Sequence, residues 1–61
     1  MSQYEVFDDN YNINIYDVGQ ERSLIIREGD QDEFRDLYER FIPLEEIMDI
    51  LGYYDGDWNY N

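Results

Sequence analysis

The hydrophobic pattern of the chain changes its period near Gly29, and this change limits the fold more than any other feature. Before Gly29, apolar and polar residues alternate in residues 11–16, and residues 22–28 are rich in β-branched side chains. Alternation with period two is typical of strands that bury one face. After Asp30, apolar residues recur at intervals of three and four, which is typical of amphipathic helices. The sequence therefore predicts strands followed by helices, in a single domain covering residues 1–61.

Three strands are predicted in the first half. The first surrounds Val6 and ends at residues 8–10, whose Asp and Asn side chains favour turns by binding their own backbone. The second covers residues 11–16 and the third covers residues 22–28, with a turn at 18–21 between them. One face of the second strand is expected to carry Tyr11, Ile13 and Ile15. Short links between three strands predict an antiparallel meander.

Two short helices are predicted in the second half. Asp30 with Glu33 matches a capping box, Pro43 suits the first turn of a second helix, and Gly52 suits its end. The apolar stripes are Phe34, Leu37, Tyr38 and Phe41 on the first helix, and Leu44, Ile47, Met48 and Leu51 on the second. The predicted fold class is α+β, a three-stranded antiparallel sheet followed by two short helices packed on one face (βββαα). Its core is predicted to contain Ile13, Ile15, Leu24, Ile26, Phe34, Leu37, Phe41, Ile47 and Leu51.

The C-terminal residues 53–61 are strongly aromatic but follow neither period. Two interpretations are open for Tyr53, Tyr54, Trp58 and Tyr60. Either they fold back to close a small core, or they form contact surface, since Tyr and Trp are enriched at interface hot spots.

Charge is the dominant compositional feature. Sixteen acids stand against four bases, all Arg, for a formal net charge of −12. Solubility of a small domain needs a net charge of only ~2–8 in magnitude, so the excess points to a further role. DNA, RNA and anionic membranes are excluded as direct partners because each requires a basic patch. The expected partner is a basic, nucleic-acid-binding protein surface.

The residue types that are missing argue against catalysis and metal binding. The chain has no Cys, His or Lys, so we expect no enzyme activity, no disulfide, no thiolate zinc site and no cofactor. Residues 55–61 place oxygen ligands at alternate positions, as an EF-hand loop begins. However, Tyr60 occupies the position that requires Gly, and no Glu follows at the twelfth position. The N-terminal residues lack the basic and apolar regions of a signal peptide, and no apolar run is long enough for a membrane span.

Carboxylates at helical spacing form the predicted binding site. On the first helix, Asp32, Asp36 and Glu39 share the face opposite the apolar stripe, at i, i+4 and i+7. Carboxylates one turn apart (~5.4 Å) approximate phosphate positions along a nucleic-acid strand. The other interpretation is an ordinary solvated helix face. The full set of predicted partner-binding residues is Asp32, Asp36, Glu39, Glu45, Glu46, Asp49, Asp55, Asp57 and Trp58.

In size, acidity, absence of Cys and α+β plan, the chain resembles the small acidic inhibitors encoded by phages and mobile elements. These include antirestriction proteins, anti-CRISPR proteins and uracil-DNA glycosylase inhibitors, several of which are DNA mimics, and nuclease immunity proteins are similar in character. The resemblance is one of class and involves no shared motif. It implies a cytoplasmic inhibitor in a bacterial host cell that occupies the nucleic-acid groove of a defence nuclease or DNA-processing enzyme. The alternative is a small acidic structural or adaptor subunit that binds a basic protein surface without DNA mimicry.

Overall fold

The computed structural model describes residues 3–60, which form four strands and two α-helices. In chain order the elements are β1 (Tyr4–Asp8), β2 (Ile13–Asp17), β3 (Arg22–Ile25), α1 (Gln31–Glu39), α2 (Leu44–Leu51) and β4 (Asn59–Tyr60). Short 3-10 turns precede α1 and β4. Met1, Ser2 and Asn61 lie outside the described residues. Met1 and Ser2 begin the N-terminal segment that was expected not to be a signal peptide, and Asn61 ends the segment 55–61 that was compared with an EF-hand loop.

The sheet has the order β1-β2-β3-β4, and every neighbouring pair is antiparallel. The mixed α+β class and the two helices are confirmed, but the prediction of three strands was wrong by one. The additional strand is β4, which pairs Tyr60 with Arg22 and Asn59 with Ser23. Two residues are too few to show an alternating pattern, so this strand left no periodic signal in the sequence.

The turn between β1 and β2 is stabilised by the carboxylates that predicted it. Asp8 Oδ1 accepts the backbone N–H of Asn10 at 2.9 Å, and Asp9 Oδ1 accepts that of Asn12 at 2.7 Å. Asn10 takes a left-handed conformation with φ 74°, which Asn tolerates better than most residues. A strand can therefore reverse here without a glycine.

The core lies between the helices and one face of the sheet. It consists of Ile13, Ile15, Leu24, Ile26, Phe34, Leu37, Ile47, Met48 and Tyr53. Seven of the nine predicted core residues are in this set, and Leu51 packs against it half-buried. Tyr11 does not continue the strand face of Ile13 and Ile15 as predicted, because β2 begins at Ile13 and Tyr11 lies in the preceding turn, 82% exposed.

The opposite face of the sheet is not covered by either helix. Its residues alternate with the buried ones, and Phe7 and Ile25 on it are more than half exposed. We call this the outer sheet face, and define it by Glu5, Phe7, Asn14, Tyr16, Ser23, Ile25 and Asn59.

Helix α1 differs from its prediction at both ends. Asp30 makes no capping bond, because the preceding 3-10 turn holds its backbone in a helical conformation (φ −100°, ψ −5°) where capping residues normally adopt extended angles. The helix ends at Glu39, so the apolar stripe stops before Phe41. Phe41 is 93% exposed and Tyr38 is 47% exposed, which corrects the prediction that Phe41 is a core residue and that Tyr38 shares its buried stripe.

Helix α2 ends as the sequence predicts. Gly52 closes it in the left-handed conformation with φ 82°. The chain then turns inward, so that Tyr53 is only 6% exposed. Of the two interpretations of the C-terminal aromatic residues, Tyr53 therefore follows the first: it folds back into the core.

Candidate functional site

The four arginines determine which acids remain available on the surface, and each of them is used inside the fold. Arg22 is buried on β3, where its Nε donates to Asp17 Oδ2 at 2.9 Å and its Nη1 to the Tyr60 hydroxyl at 3.1 Å. Its guanidinium lies 4.3 Å from the ring centroid of Trp58. Burial alone would lower the pKa of Arg22, but the hydrogen bonds to Tyr60 and Asp17 outweigh it and the pKa is raised. This arginine stays charged and joins β2, β3 and the C-terminal residues.

Arg27 connects the start of α1 to the end of α2. Its Nε donates to Asp30 Oδ2 at 3.0 Å, and its Nη2 donates to the carbonyl oxygen of Leu51 at 3.2 Å. The Tyr53 hydroxyl donates to Asp30 at 2.9 Å and accepts the backbone N–H of Arg27 at 2.8 Å. The Tyr53 hydrogen bond and then Arg27 lower the pKa of Asp30, while burial, chiefly, raises the pKa of Tyr53. Asp30 therefore has a structural task and is not free for a partner.

Arg35 fixes α1 to β1. Its Nε and Nη2 donate to the two carboxylate oxygens of Asp8 at 2.8 and 3.0 Å, a bidentate arrangement that suits the planar guanidinium. These bonds, with the backbone N–H of Asn10, lower the pKa of Asp8 to about 2. The remaining arginine, Arg40, pairs with Asp36 one turn earlier at 3.3 Å, and both side chains are largely exposed. An exposed pair of this kind contributes little to stability.

Among residues 3–60 no arginine is left unpaired, so the acids outside these ion pairs have no cation to offset them. They are all exposed: Glu5, Asp9, Glu21, Glu28, Glu33, Glu39, Glu45, Glu46, Asp49 and Asp57. Three of the predicted site residues, Glu45, Glu46 and Asp49, form the whole acidic set of α2. Two of them lie in its first turn, where negative charge also stabilises the helix dipole.

The predicted residues of α1 are exposed but partly engaged. Asp36 pairs with Arg40, and Asp32 Oδ1 lies 3.9 Å from Arg35 Nη1. Glu39 has no partner among the described residues. Because these pairs are exposed, an arginine of another protein can replace the internal one at small cost.

The predicted residues of the C-terminal segment gather around Arg22 instead of around the helix acids. Asp55 Oδ1 lies 3.6 Å from Arg22 Nη1, and Asp57 Oδ2 accepts the backbone N–H of Tyr54 at 2.8 Å. Trp58 is half-buried, stacked on Arg22 and 6.1 Å from the ring of Tyr4. No ion pair between described residues connects this group with the acids of α1 or α2. In their ion pairs and hydrogen bonds, the nine predicted site residues therefore fall into the helix acids and the C-terminal residues.

The exposed aromatic residues at the end of α1 were not among the site residues predicted from the sequence. Tyr38 and Phe41 line open hollows beside β1, together with residues of the α1–α2 connection. The only sequence signal was the closeness of Phe41 to Pro43, which forces α1 to end before the stripe is complete. Their placement therefore depends on where the helix stops.

No protein-family model, curated protein or solved structure matches the chain. Within residues 3–60 there is no group of three acidic side chains arranged to hold a metal ion. Neither helix of this part has the length and apolar content that crossing a bilayer requires. The candidate site is therefore defined by its own charges and contacts.

Proposed function

We propose that this protein is a binding protein and not an enzyme, and that it inhibits a nucleic-acid-binding protein by DNA mimicry. The helix acids would take the place of phosphates in the basic groove of a host defence nuclease or DNA-processing enzyme. The observation that carries the proposal is the uneven distribution of charge between the two sides of the fold.

The two helices carry seven of the sixteen acids, far more than the outer sheet face. Four acids lie on α1 and three on α2, against one arginine within the two helices, Arg35, which is bound to Asp8. Arg40, directly after α1, offsets one of these acids through its exposed pair with Asp36. The outer sheet face carries one acid, Glu5. Acids retained only for solubility have no reason to concentrate on one layer, whereas a phosphate mimic requires it.

The second candidate function is the adaptor role, and one observation favours it. Phe7 and Ile25 are more than half exposed on the outer sheet face, which has little charge. A partner that contacts this face would leave a nucleic-acid groove unobstructed. The two functions therefore differ in whether the target still binds nucleic acid.

A competition experiment separates them. Proteins retained on the immobilised chain are identified, and the protein is then titrated into the complex of each such target with labelled nucleic acid. We expect release of the nucleic acid, with fast association at low salt that weakens as salt screens the charges. A ternary complex that keeps the nucleic acid would reject mimicry in favour of the adaptor role.

A matched pair of variants locates the surface. Glu46→Gln with Asp49→Asn removes two unpaired charges from α2, and Glu5→Gln with Glu21→Gln removes two from outside the helices. Both pairs change the net charge equally, so a long-range field alone would make them equivalent. We expect the α2 pair to weaken inhibition several-fold more than its control. Equal losses would show that the helix face has no special role.

A further inference from the structure

A groove runs between the outer edge of β1 and helix α1. One end is lined by Val6, Asp8, Phe34, Arg35, Tyr38 and Glu39. The other end is lined by Tyr4, Tyr38, Phe41, Ile42, Pro43 and Leu44. Tyr38 is a shared wall, so two neighbouring hollows follow the direction of the strand. Most of their walls are apolar or aromatic.

The strand beside this groove turns backbone groups outward at Val6 and Asp8. The carbonyl oxygen of Gln3 accepts the backbone N–H of Val18. With the register of β1 and β2, this bond determines which residues of β1 have backbone groups that face β2. In an antiparallel pair every second residue bonds to the neighbouring strand and the next points away. The backbone groups of Val6 therefore point outward, and no strand among residues 3–60 pairs with them. Such an edge is a template for another extended chain.

Phe41 supplies an independent indication of binding. It adopts φ 62°, a left-handed conformation that costs a non-glycine residue free energy, and its ring is almost fully exposed. The backbone hydrogen bonds that end α1 hold this conformation, but the phenyl ring itself is not buried against the fold. Strained residues of this kind concentrate where a partner is bound.

We propose that an extended segment of a partner protein adds to β1 as a further strand and places side chains in the two hollows. Its apolar side chains would contact Val6, Tyr38 and Phe41. Its backbone would bond to the outward groups of Val6 and Asp8, as in β-strand addition. The proposal goes beyond DNA mimicry and does not depend on it, because it rests on the β1 edge and the two hollows, where Glu39 is the one predicted site acid.

Charge defines the chemistry of this segment. Arg35, which lines the groove, is already bound to Asp8, while Glu39 on the same wall has no ion-pair partner among residues 3–60. With a net charge of −12 on the whole chain, an acidic segment is repelled. The segment therefore alternates apolar residues with Lys or Arg.

The experiment selects displayed random peptides, long enough to pair with all of β1, on the immobilised protein. The best peptide is then synthesised in two forms, unmodified and N-methylated at alternate backbone nitrogens, and titrated into isotope-labelled protein. We expect amide shifts at Val6 and Asp8 and a loss of affinity of roughly tenfold or more on methylation. Methylation leaves the protein and the peptide charge unchanged, so this loss does not depend on any variant folding.

Two protein variants complete the test. Phe41→Gly is expected to weaken peptide binding roughly tenfold, and Ile25→Ser, on the outer sheet face, to leave it unchanged. The proposal would be overturned if no peptide were enriched. It would also be overturned if the methylated peptide bound as tightly as the unmodified one, or if the Phe41→Gly protein bound the peptide as tightly as the parent protein. Concentration-dependent dimers that shift the same β1 amides would assign the edge to a second copy instead. None of these results bears on whether the protein displaces nucleic acid, so the two proposals fail separately.

Discussion

Helices α1 and α2 are closed by the same pair of backbone hydrogen bonds, but with different residues in the left-handed position. In α1 the N–H groups of Phe41 and Ile42 bond to the carbonyls of Tyr38 and Leu37. In α2 those of Gly52 and Tyr53 bond to the carbonyls of Asp49 and Met48. Both are Schellman motifs, and glycine is the usual residue at the left-handed position.

The two helix ends differ in where they direct their aromatic side chains. After Gly52 the chain enters the core through Tyr53, which binds Asp30 and the backbone of Arg27. At the end of α1 the phenyl ring of Phe41 projects into solvent instead. One end gains buried contacts without backbone strain, and the other accepts strain to expose an aromatic ring. The first arrangement serves stability, and the second is consistent with contact to a partner.

The largest effect is expected from removing the side chain of the residue after Gly52. Tyr53→Ala should lower the free energy of unfolding by about 3–5 kcal/mol, because it empties a core site and leaves the Arg27 N–H without its acceptor. A chain of this length has about 3–9 kcal/mol in total, so most of its stability would be lost. Urea unfolding measures the change. Tyr54→Ala is the control, since Tyr54 is largely exposed, and a comparable loss there would contradict the assignment.

Gly52→Ala tests the left-handed position itself. A Cβ at Gly52 meets no atom within 4 Å, so the cost is backbone strain alone, about 1–2 kcal/mol of unfolding free energy. Gly56→Ala also has open space, and its φ lies outside the left-handed range. This control should be neutral or slightly stabilising. Equal effects of the two substitutions would show that conformation at Gly52 does not matter.

Phe41→Gly should have the opposite sign. Release of left-handed strain, about 1–2 kcal/mol, exceeds the added flexibility of glycine in the unfolded chain, about 0.5–1 kcal/mol. The melting temperature should therefore rise by a few degrees. A lower melting temperature would show that the phenyl ring stabilises the fold. The contrast between a strained, exposed end of α1 and a buried end of α2 would then be wrong.

The smallest change in stability is expected from the ion pair of Asp8 and Arg35. This pair holds α1 to the sheet and does not involve the end of either helix. The pKa of Asp8 is lowered from 3.8 to about 2, so its ion pair stabilises the fold above about pH 4 and is lost as pH falls through about 2. Asp8→Asn should therefore be less stable than the parent at pH 7, and the difference should disappear near pH 2. Thermal unfolding across this range measures it. Glu33→Gln is the control at pH 7, where removal of an exposed acid with no ion pair among residues 3–60 should leave thermal unfolding nearly unchanged.

The sequence predicted the elements that have strong periodicity and failed where tertiary contacts decide. Ile13 and Ile15 were identified because strand alternation requires them on one face, and Ile47 because helical spacing does. Phe41 was misplaced because continuation of a stripe says nothing about where a helix ends. Strand β4 was missed because its pairing with β3 depends on Arg22 holding Tyr60, which no local pattern encodes.

For the candidate site, exposure of the acids followed from their helical positions, but their pairing did not. Asp17 has the same residue type as the site acids, yet it is buried against Arg22, because the register between β2 and β3 places the two side by side. The distribution of four arginines among sixteen acids depends on contacts across the fold. Which charges remain free is therefore a property of the tertiary structure.

The stacking of Trp58 on Arg22 has a practical consequence for spectroscopy. Trp58 is the single tryptophan of the chain, and its half-buried indole contacts the Arg22 guanidinium and lies 6.1 Å from the ring of Tyr4. When β4 leaves β3, this indole enters water and its emission moves to longer wavelength, whereas far-ultraviolet circular dichroism follows mainly the two helices. Tryptophan fluorescence therefore reports the docking of the C-terminal strand separately from helix content, without any attached dye.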